Sequence, residues 1–133
     1  MHSDTENLIG CFTAFFDHGL LLIEDADTTA AHEGWDAATQ HVHFDTDSLY
    51  LAVSPAVDGP VTVCAYRDEA PADATTEMTQ CFDGEFESEF GVIRLHDSDD
   101  TISLAARERR GTHRLRVFVD EPDWSSRVVV VIS

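Results

Sequence analysis

Short segments in which apolar and polar residues alternate recur along this chain. Alternation with a period of two is typical of a half-buried β-strand, because successive side chains point to opposite faces. These segments are residues 41–45, 49–53, 61–66, 85–90, 102–106 and 114–120, and a further short strand is predicted at residues 92–95, after the turn at Gly91. Two further apolar segments, residues 7–16 and 19–24, are separated by Asp17-His18-Gly19, which suits a hairpin turn. Strands at this spacing, without a long amphipathic helix, predict an all-β fold: an antiparallel β-sandwich with at most one short helix.

Two segments depart from the alternating pattern. Val128 to Ile132 is an unbroken apolar run, which predicts a central strand covered on both faces. Residues 25–39 are Ala-rich and acidic, which predicts a loop or a short helix. Trp35 is the only large apolar residue there, and we expect it to be partly buried at an edge of the core. The length of 133 residues predicts one domain, residues 1–133.

The charge of the chain is far from neutral. Twenty-six acidic residues oppose eight arginines, lysine is absent, and the net charge is −18. Residues 1–93 hold 19 acids and one base, Arg67, whereas the charges of residues 94–133 cancel. Such a charge repels phosphate, so it argues against direct binding to nucleic acid or an anionic membrane and favours a basic protein partner. The acidity can instead be a halophilic adaptation that aids solubility in brine, although residues 94–133 do not follow that explanation.

The cysteines and the first residues bear on the compartment. Cys11, Cys64 and Cys81 are odd in number, widely spaced and flanked by apolar or small residues. This predicts three reduced thiols, with one disulfide plus one free thiol as the alternative. The start of the chain lacks the cationic region of a secretory signal, and no apolar run is long enough to span a bilayer. The sequence therefore predicts a cytoplasmic protein.

Two patterns resemble parts of metal sites. His41, His43 and Asp45 share one face of a predicted strand, and that spacing can place two imidazoles and a carboxylate around zinc. A solvated strand face that carries histidines incidentally has the same pattern. Asp97, Asp99 and Asp100 resemble a piece of a calcium loop, but the glycine and the distal glutamate of an EF-hand are missing, so a polar turn explains them. No other cofactor is predicted.

Patterns of catalytic residues are missing, whereas one acidic pattern suits binding. The sequence has no G-x-S-x-G elbow and no glycine-rich phosphate loop, so we expect no enzymatic activity. Glu85, Glu87 and Glu89 would project from one strand face roughly 6.6–6.8 Å apart. Such a row resembles a nucleic-acid backbone and would attract a basic nuclease. Charge that protects an edge strand from aggregation is the alternative explanation. The predicted partner-binding residues are Glu85, Glu87, Glu89, Asp97, Asp99 and Asp100.

From about Trp35 to Ser133 the order of segments resembles the competence protein J-like proteins, known for inhibiting a DNA-entry nuclease. The resemblance lies in the Trp-containing segment followed by VTVCAYRDEAPADATTEMTQCFDGEFESEFGVIRL, then HRLRVFVDE, then VVVVIS. The chain departs from the pattern at Arg110-Gly111-Thr112 and at Ile132-Ser133. The resemblance implies a β-sandwich and an inhibitor or immunity role, and it carries over no functional residue. The alternative is a salt-adapted β-sandwich with a ligand, metal or assembly role.

Overall fold

The computed structural model describes residues 7–30, 32, 35, 40–122 and 124–133. In this part of the chain, ten strands form two five-stranded sheets, and two short 3-10 turns lie at Ala56–Asp58 and Ala72–Ala74. The strands are β1 (Leu8–Ala14), β2 (Leu20–Asp25), β3 (Val42–Asp45), β4 (Ser48–Ala52), β5 (Val61–Arg67), β6 (Thr79–Ser88), β7 (Val92–Asp97), β8 (Ser103–Arg107), β9 (Gly111–Val119) and β10 (Arg127–Ile132). The predicted all-β fold is confirmed.

The two sheets differ in how their strands pair. Sheet A has the order β1-β5-β10-β9-β6, and sheet B has the order β3-β4-β2-β7-β8. Every pair is antiparallel except β5 with β10, which is parallel. The sandwich is therefore mixed at one position of sheet A rather than antiparallel throughout.

The main core consists of the inward faces of both sheets. Sheet B contributes alternate residues such as Leu21 and Ile23 of β2, and sheet A contributes alternate residues such as Val117 of β9 and Val130 of β10. These four side chains are completely buried. Because each strand shows one apolar face to this layer, the period-two alternation of the sequence follows directly.

β10 is buried on both faces. Val128, Val130 and Ile132 belong to the main core, whereas Val129 and Val131 form a second apolar cluster with Tyr66 on the outer face of sheet A. Residues of the loop between β5 and β6 pack on this second cluster: Ala70, Ala74 and Met78. The predicted central strand with two covered faces is confirmed.

The turn after β1 connects the two sheets and does not close a hairpin. β1 lies in sheet A and β2 in sheet B, so the predicted pairing across Asp17-His18-Gly19 is wrong. The turn itself is tight: the Gly19 amide donates to the Phe16 carbonyl at 2.9 Å, and Gly19 has a φ of +61°. A Cβ at this position would lie 2.9 Å from the Val53 carbonyl oxygen, so glycine is required both for its φ and for space.

The cysteines do not match the prediction of three reduced thiols. Cys11 and Cys64 face each other across β1 and β5, with 4.1 Å between their Cα atoms, and form a disulfide. Cys81 is free, and burial raises the pKa of its thiol to about 11. The disulfide removes reduced cysteines as an argument for a cytoplasmic location, which stays a prediction. Among the described residues, no helix is long and apolar enough to cross a membrane.

The position of β10 predicts that Val130→Asp abolishes folding. Val130 is completely buried, and an unpaired buried carboxylate costs several kcal/mol or more. Far-ultraviolet circular dichroism and urea unfolding measure the loss. Val57→Asp is the control, because that side chain is 91% exposed and the variant should fold like the parent. A cooperative β-rich transition in Val130→Asp would contradict the central place of β10.

The disulfide predicts one titratable thiol for each chain unfolded without reductant. In the folded protein this thiol should react slowly, because at neutral pH very little Cys81 is thiolate. Cys11→Ser/Cys64→Ser should lower the free energy of unfolding by about 2–4 kcal/mol, since the bridge restricts the unfolded chain. Thiol titration and urea unfolding are the measurements. Three thiols on unfolding without reductant would show that the bridge is not formed.

Candidate functional site

The six predicted partner-binding residues lie in three separate places. Glu85 and Glu87 are on β6, whereas Glu89 follows the end of that strand. This end lies beside the end of β2, because the Asp25 carboxylate accepts hydrogen bonds from the Ser88 hydroxyl at 2.7 Å and the Phe90 amide at 3.3 Å. The aspartates of residues 97–100 lie at the other end of β2, where Leu21 pairs with Asp97. The six residues therefore do not form one surface.

The outer face of β6 carries an acidic row that starts one position earlier than predicted. Asp83, Glu85 and Glu87 alternate with the inward Gly84 and Phe86. In register, Glu85 lies opposite Arg114 of β9, and Arg114 donates two hydrogen bonds to Asp83, at 2.8 and 2.7 Å. This charge-assisted pair lowers the pKa of Asp83. Arg114 thus offsets part of the negative charge of this row. The row borders an open groove of about 410 Å³.

The turn between β7 and β8 uses one of its aspartates for structure. Asp97 is 5% exposed, and its carboxylate accepts hydrogen bonds from the Thr101 amide at 2.7 Å, the Thr101 hydroxyl and the Ile102 amide. Burial acts to raise the pKa of Asp97, but these hydrogen bonds outweigh it and lower the pKa. Asp99 lies 3.2 Å from His18 Nε2, and Asp100 pairs with Arg94. Asp97 therefore closes the turn and is not available to a partner.

A chain of hydrogen-bonded side chains crosses the outer face of sheet B. His43 Nδ1 lies 2.7 Å from His32 Nδ1, and His32 Nε2 lies 2.8 Å from the Ser48 hydroxyl. Ser48 donates to Glu24 Oε2 at 2.9 Å, while His96 Nε2 lies 2.7 Å from Glu24 Oε1. We call these five residues the histidine cluster. They span β3, β4, β2 and β7, together with the segment between β2 and β3.

The hydrogen positions in the histidine cluster follow from its acceptors. Because the Ser48 proton points to Glu24, the Ser48 oxygen accepts from His32 Nε2–H. Neutral His32 then has a bare Nδ1, which accepts from His43 Nδ1–H. Protonation of His32 would require His43 to carry its proton on Nε2 instead of Nδ1, so the arrangement with the proton on His43 Nδ1 belongs to neutral His32.

Aromatic rings cover part of the histidine cluster. The His32 ring stacks on Tyr50 with 3.6 Å between centroids, and Trp35 meets Tyr50 edge-on at 5.2 Å. Trp35 Nε1 donates to the Gln40 carbonyl at 3.2 Å. Trp35 is partly buried, as predicted, but it packs on the outer face of sheet B through Tyr50 and not against the core between the sheets.

The electrostatics of the cluster favour ionised Glu24 and neutral His32. Burial acts to raise the pKa of Glu24, but hydrogen bonds from His96 and Ser48 outweigh it and lower the pKa. Burial and the neighbouring His43 lower the pKa of His32, and they outweigh the opposing charges of three carboxylates. Those carboxylates belong to Asp45, Glu24 and Asp47.

The predicted zinc residues do not gather into a ligand set. His43 is engaged with His32, Asp45 is exposed at the end of β3, and His41 precedes that strand. Within the described ranges, no group of three His, Cys, Asp or Glu side chains is arranged to hold a metal ion. The zinc site stays a prediction. The sequence did not predict the histidine cluster, because only His43 of its five residues belongs to a recognisable sequence pattern, the one formed with His41 and Asp45.

Comparisons with known proteins show similarity in structure but not in sequence. No family model matches the chain, and no curated protein matches it by sequence. ComJ from Bacillus subtilis, an inhibitor of the DNA-degrading activity of NucA, superposes with a TM-score of 0.70 over 94% of this chain and 95% of its own, at 8% identity. The protein of crocagin biosynthetic gene J superposes with a TM-score of 0.54 over 92% and 93%, at 14% identity. The chain has a ComJ-like fold, which confirms the resemblance seen in the sequence.

The histidine cluster predicts that acid destabilises the fold through His32. Because the pKa of His32 is lower in the folded than in the unfolded chain, only the unfolded chain binds this proton just below the ordinary value of about 6.5. Its contribution is complete above that pH and is lost as pH falls through the lowered pKa. The contribution to stability of Glu24, whose pKa is also lowered, is lost only at more acidic pH. We therefore expect the melting temperature to fall between about pH 7.5 and 5.5.

Thermal unfolding of two variants isolates this effect. His32→Gln should have a lower melting temperature than the parent at about pH 7.5, but its melting temperature should fall less between about pH 7.5 and 5.5. His18→Gln is the matched control, because that side chain is 64% exposed and pairs only with Asp99 among the described residues. An equal pH-dependent loss in His32→Gln and the parent would show that His32 is not the responsible group.

Proposed function

We propose that this protein is an acidic, non-catalytic inhibitor or immunity protein that neutralises a cationic nuclease or toxin by binding it. The observation that carries the proposal is the excess of surface carboxylates that the fold leaves without a cation. Ion pairs between described residues engage five of the 21 described carboxylates: Glu24, Asp83, Asp99, Asp100 and Glu108. The net charge of −18 is therefore presented largely to the surroundings.

The sign of this charge selects the class of partner. A nuclease must attract phosphate, so the groove that receives its substrate is positively charged. A negative protein surface is drawn to such a groove by long-range attraction and repels DNA itself. Occupation of the groove is sufficient for inhibition, so the inhibitor needs no catalytic residues.

The ComJ-like fold supports the proposal from an independent direction. ComJ inhibits the DNA-degrading activity of NucA, and its fold matches this chain over nearly the full length of both proteins. A fold alone does not specify a function. Here the fold and the charge point to the same class of partner, and the charge does so without reference to any relative.

Nuclease inhibition in solution tests the proposal. The parent chain is titrated into fluorescent DNA-cleavage assays of NucA and of each basic DNA-degrading nuclease encoded in the genome of its source. We expect stoichiometric inhibition of at least one nuclease at low salt. The dissociation constant should rise about tenfold or more between about 50 and 500 mM salt, because screening weakens the attraction.

Polyglutamate at equal charge concentration is the control for a non-specific polyanion effect. It should inhibit the same nuclease far less at each salt concentration, because it has no folded surface to match the groove. If no nuclease is inhibited at about 10 μM chain, or if polyglutamate is equally effective, the proposal is wrong. Acidity as an adaptation to brine predicts the first of these two results.

A further inference from the structure

Three large apolar side chains are exposed at the end of the sandwich where β1 stops and β2 begins. Phe15 is 61% exposed, Val57 is 91% exposed and Trp124 is 57% exposed. They belong to three different loops, which follow β1, β4 and β9. Among the described residues, the other exposed large apolar side chain is Phe90, near the opposite end. The exposed apolar surface is therefore concentrated at one end of the molecule.

Backbone hydrogen bonds hold these three loops together. The Ala56 amide donates to the Phe16 carbonyl at 2.9 Å, which places Val57 beside the Phe15 turn. The Ser54 amide donates to the Ser125 carbonyl at 2.9 Å, which brings in the loop of Trp124. The three exposed side chains thus belong to neighbouring loops at one end of the sandwich.

Buried residues directly next to the exposed ones fix the loops in place. Phe16 is completely buried, and Ser125 is 1% exposed. Asp120 accepts hydrogen bonds from the amides of Glu121, Ser126 and Arg127 and from the Ser126 hydroxyl at 2.6 Å. Burial acts to raise the pKa of Asp120, but these bonds lower it, so the carboxylate stays ionised.

Acids without an ion pair lie in the same loops as the apolar side chains. Asp17 follows the Phe15–Phe16 pair, Asp58 follows Val57, and Glu121 accepts a backbone hydrogen bond from Trp124 at 3.2 Å. All three are exposed, and none forms an ion pair among the described residues. We call these six residues the loop face: Phe15, Asp17, Val57, Asp58, Glu121 and Trp124. An aromatic centre with a charged rim is the usual anatomy of a protein–protein interface.

We propose that the loop face is the surface that docks on the cationic nuclease, an inference that rests on the proposed function. The rim selects the occupant. A second copy of this chain would bring a second charge of −18 against the same acids, and DNA or an anionic membrane would be repelled in the same way. A protein surface rich in Lys and Arg, with an apolar site for the Trp124 ring, satisfies both parts of the loop face.

Replacing the apolar centre is the first test, with the most strongly inhibited nuclease of the panel as the probe. Val57→Ser/Trp124→Ser should weaken inhibition about thirtyfold or more, mainly through faster dissociation, because buried tryptophan anchors dominate interfaces. Phe90→Ser is the matched control: its ring is 53% exposed and near the opposite end, and inhibition should stay parental. Circular dichroism and melting temperature verify that both variants fold.

Reversing the rim charges is the second test. Asp17→Lys/Asp58→Lys/Glu121→Lys should slow association about tenfold or more and should flatten its dependence on salt. The charge-matched control reverses three exposed acids of the loop between β5 and β6: Glu69→Lys/Asp73→Lys/Glu77→Lys. The control changes the net charge equally, so a loss specific to the rim variant locates the docking surface.

A third variant tests the competing surface, formed by the three glutamates of β6 and of the residues directly after it. Glu85→Lys/Glu87→Lys/Glu89→Lys should slow association no more than the control Glu69→Lys/Asp73→Lys/Glu77→Lys. The reason is that Arg114, opposite Glu85, already offsets part of the negative charge on this face. Parental inhibition by Val57→Ser/Trp124→Ser, or a loss confined to the β6 variant, overturns the loop face and leaves the proposed function standing. Failure of the parent chain to inhibit any nuclease overturns the proposed function and this inference together.

Discussion

The burial of β10 on both faces is the constraint on which the rest of the structure depends. Val128 to Ile132 carries apolar side chains on both faces. One face therefore packs in the core between the sheets, and the other needs a second apolar cover. A central place between β5 and β9 meets the first need, and there β10 runs parallel to β5 and antiparallel to β9. The loop between β5 and β6 meets the second by packing on Val129 and Val131.

This arrangement decides which surfaces remain open. The loop over β10 covers part of the outer face of sheet A, and the histidine cluster with its aromatic rings covers part of the outer face of sheet B. The β6 face carries its own arginine partner from β9. Among the described residues, the loops at the β1–β2 end carry exposed apolar side chains and exposed acids without an ion pair, while His18 of the same end pairs with Asp99. Three of the four exposed large apolar side chains among the described residues lie in these loops, together with acids that form no ion pair.

The sequence predicts those features that depend on neighbours along the chain and not those that depend on register. Alternation located the strands, and the apolar run located β10, because both report burial residue by residue. The hairpin at Asp17–Gly19 was wrong because strand pairing is set by distant segments. Asp83 was missed from the acidic row, since the observed start of β6 was not predicted. Glu24 and His96 bond across 72 residues, which no local pattern can indicate.

The acids of this chain fall into two groups with different physical roles. The carboxylates of buried Asp25 and Asp97 and of half-buried Asp120 accept hydrogen bonds from backbone amides and close turns, so they serve the fold in any solvent. The exposed ones can serve either a partner or solubility in brine. Salts that are excluded from protein surfaces strengthen hydrophobic association, so brine makes exposed apolar groups more costly. Adaptation to brine therefore accounts for the acids of the loop face but not for Phe15, Val57 and Trp124 beside them, whereas a basic partner accounts for both.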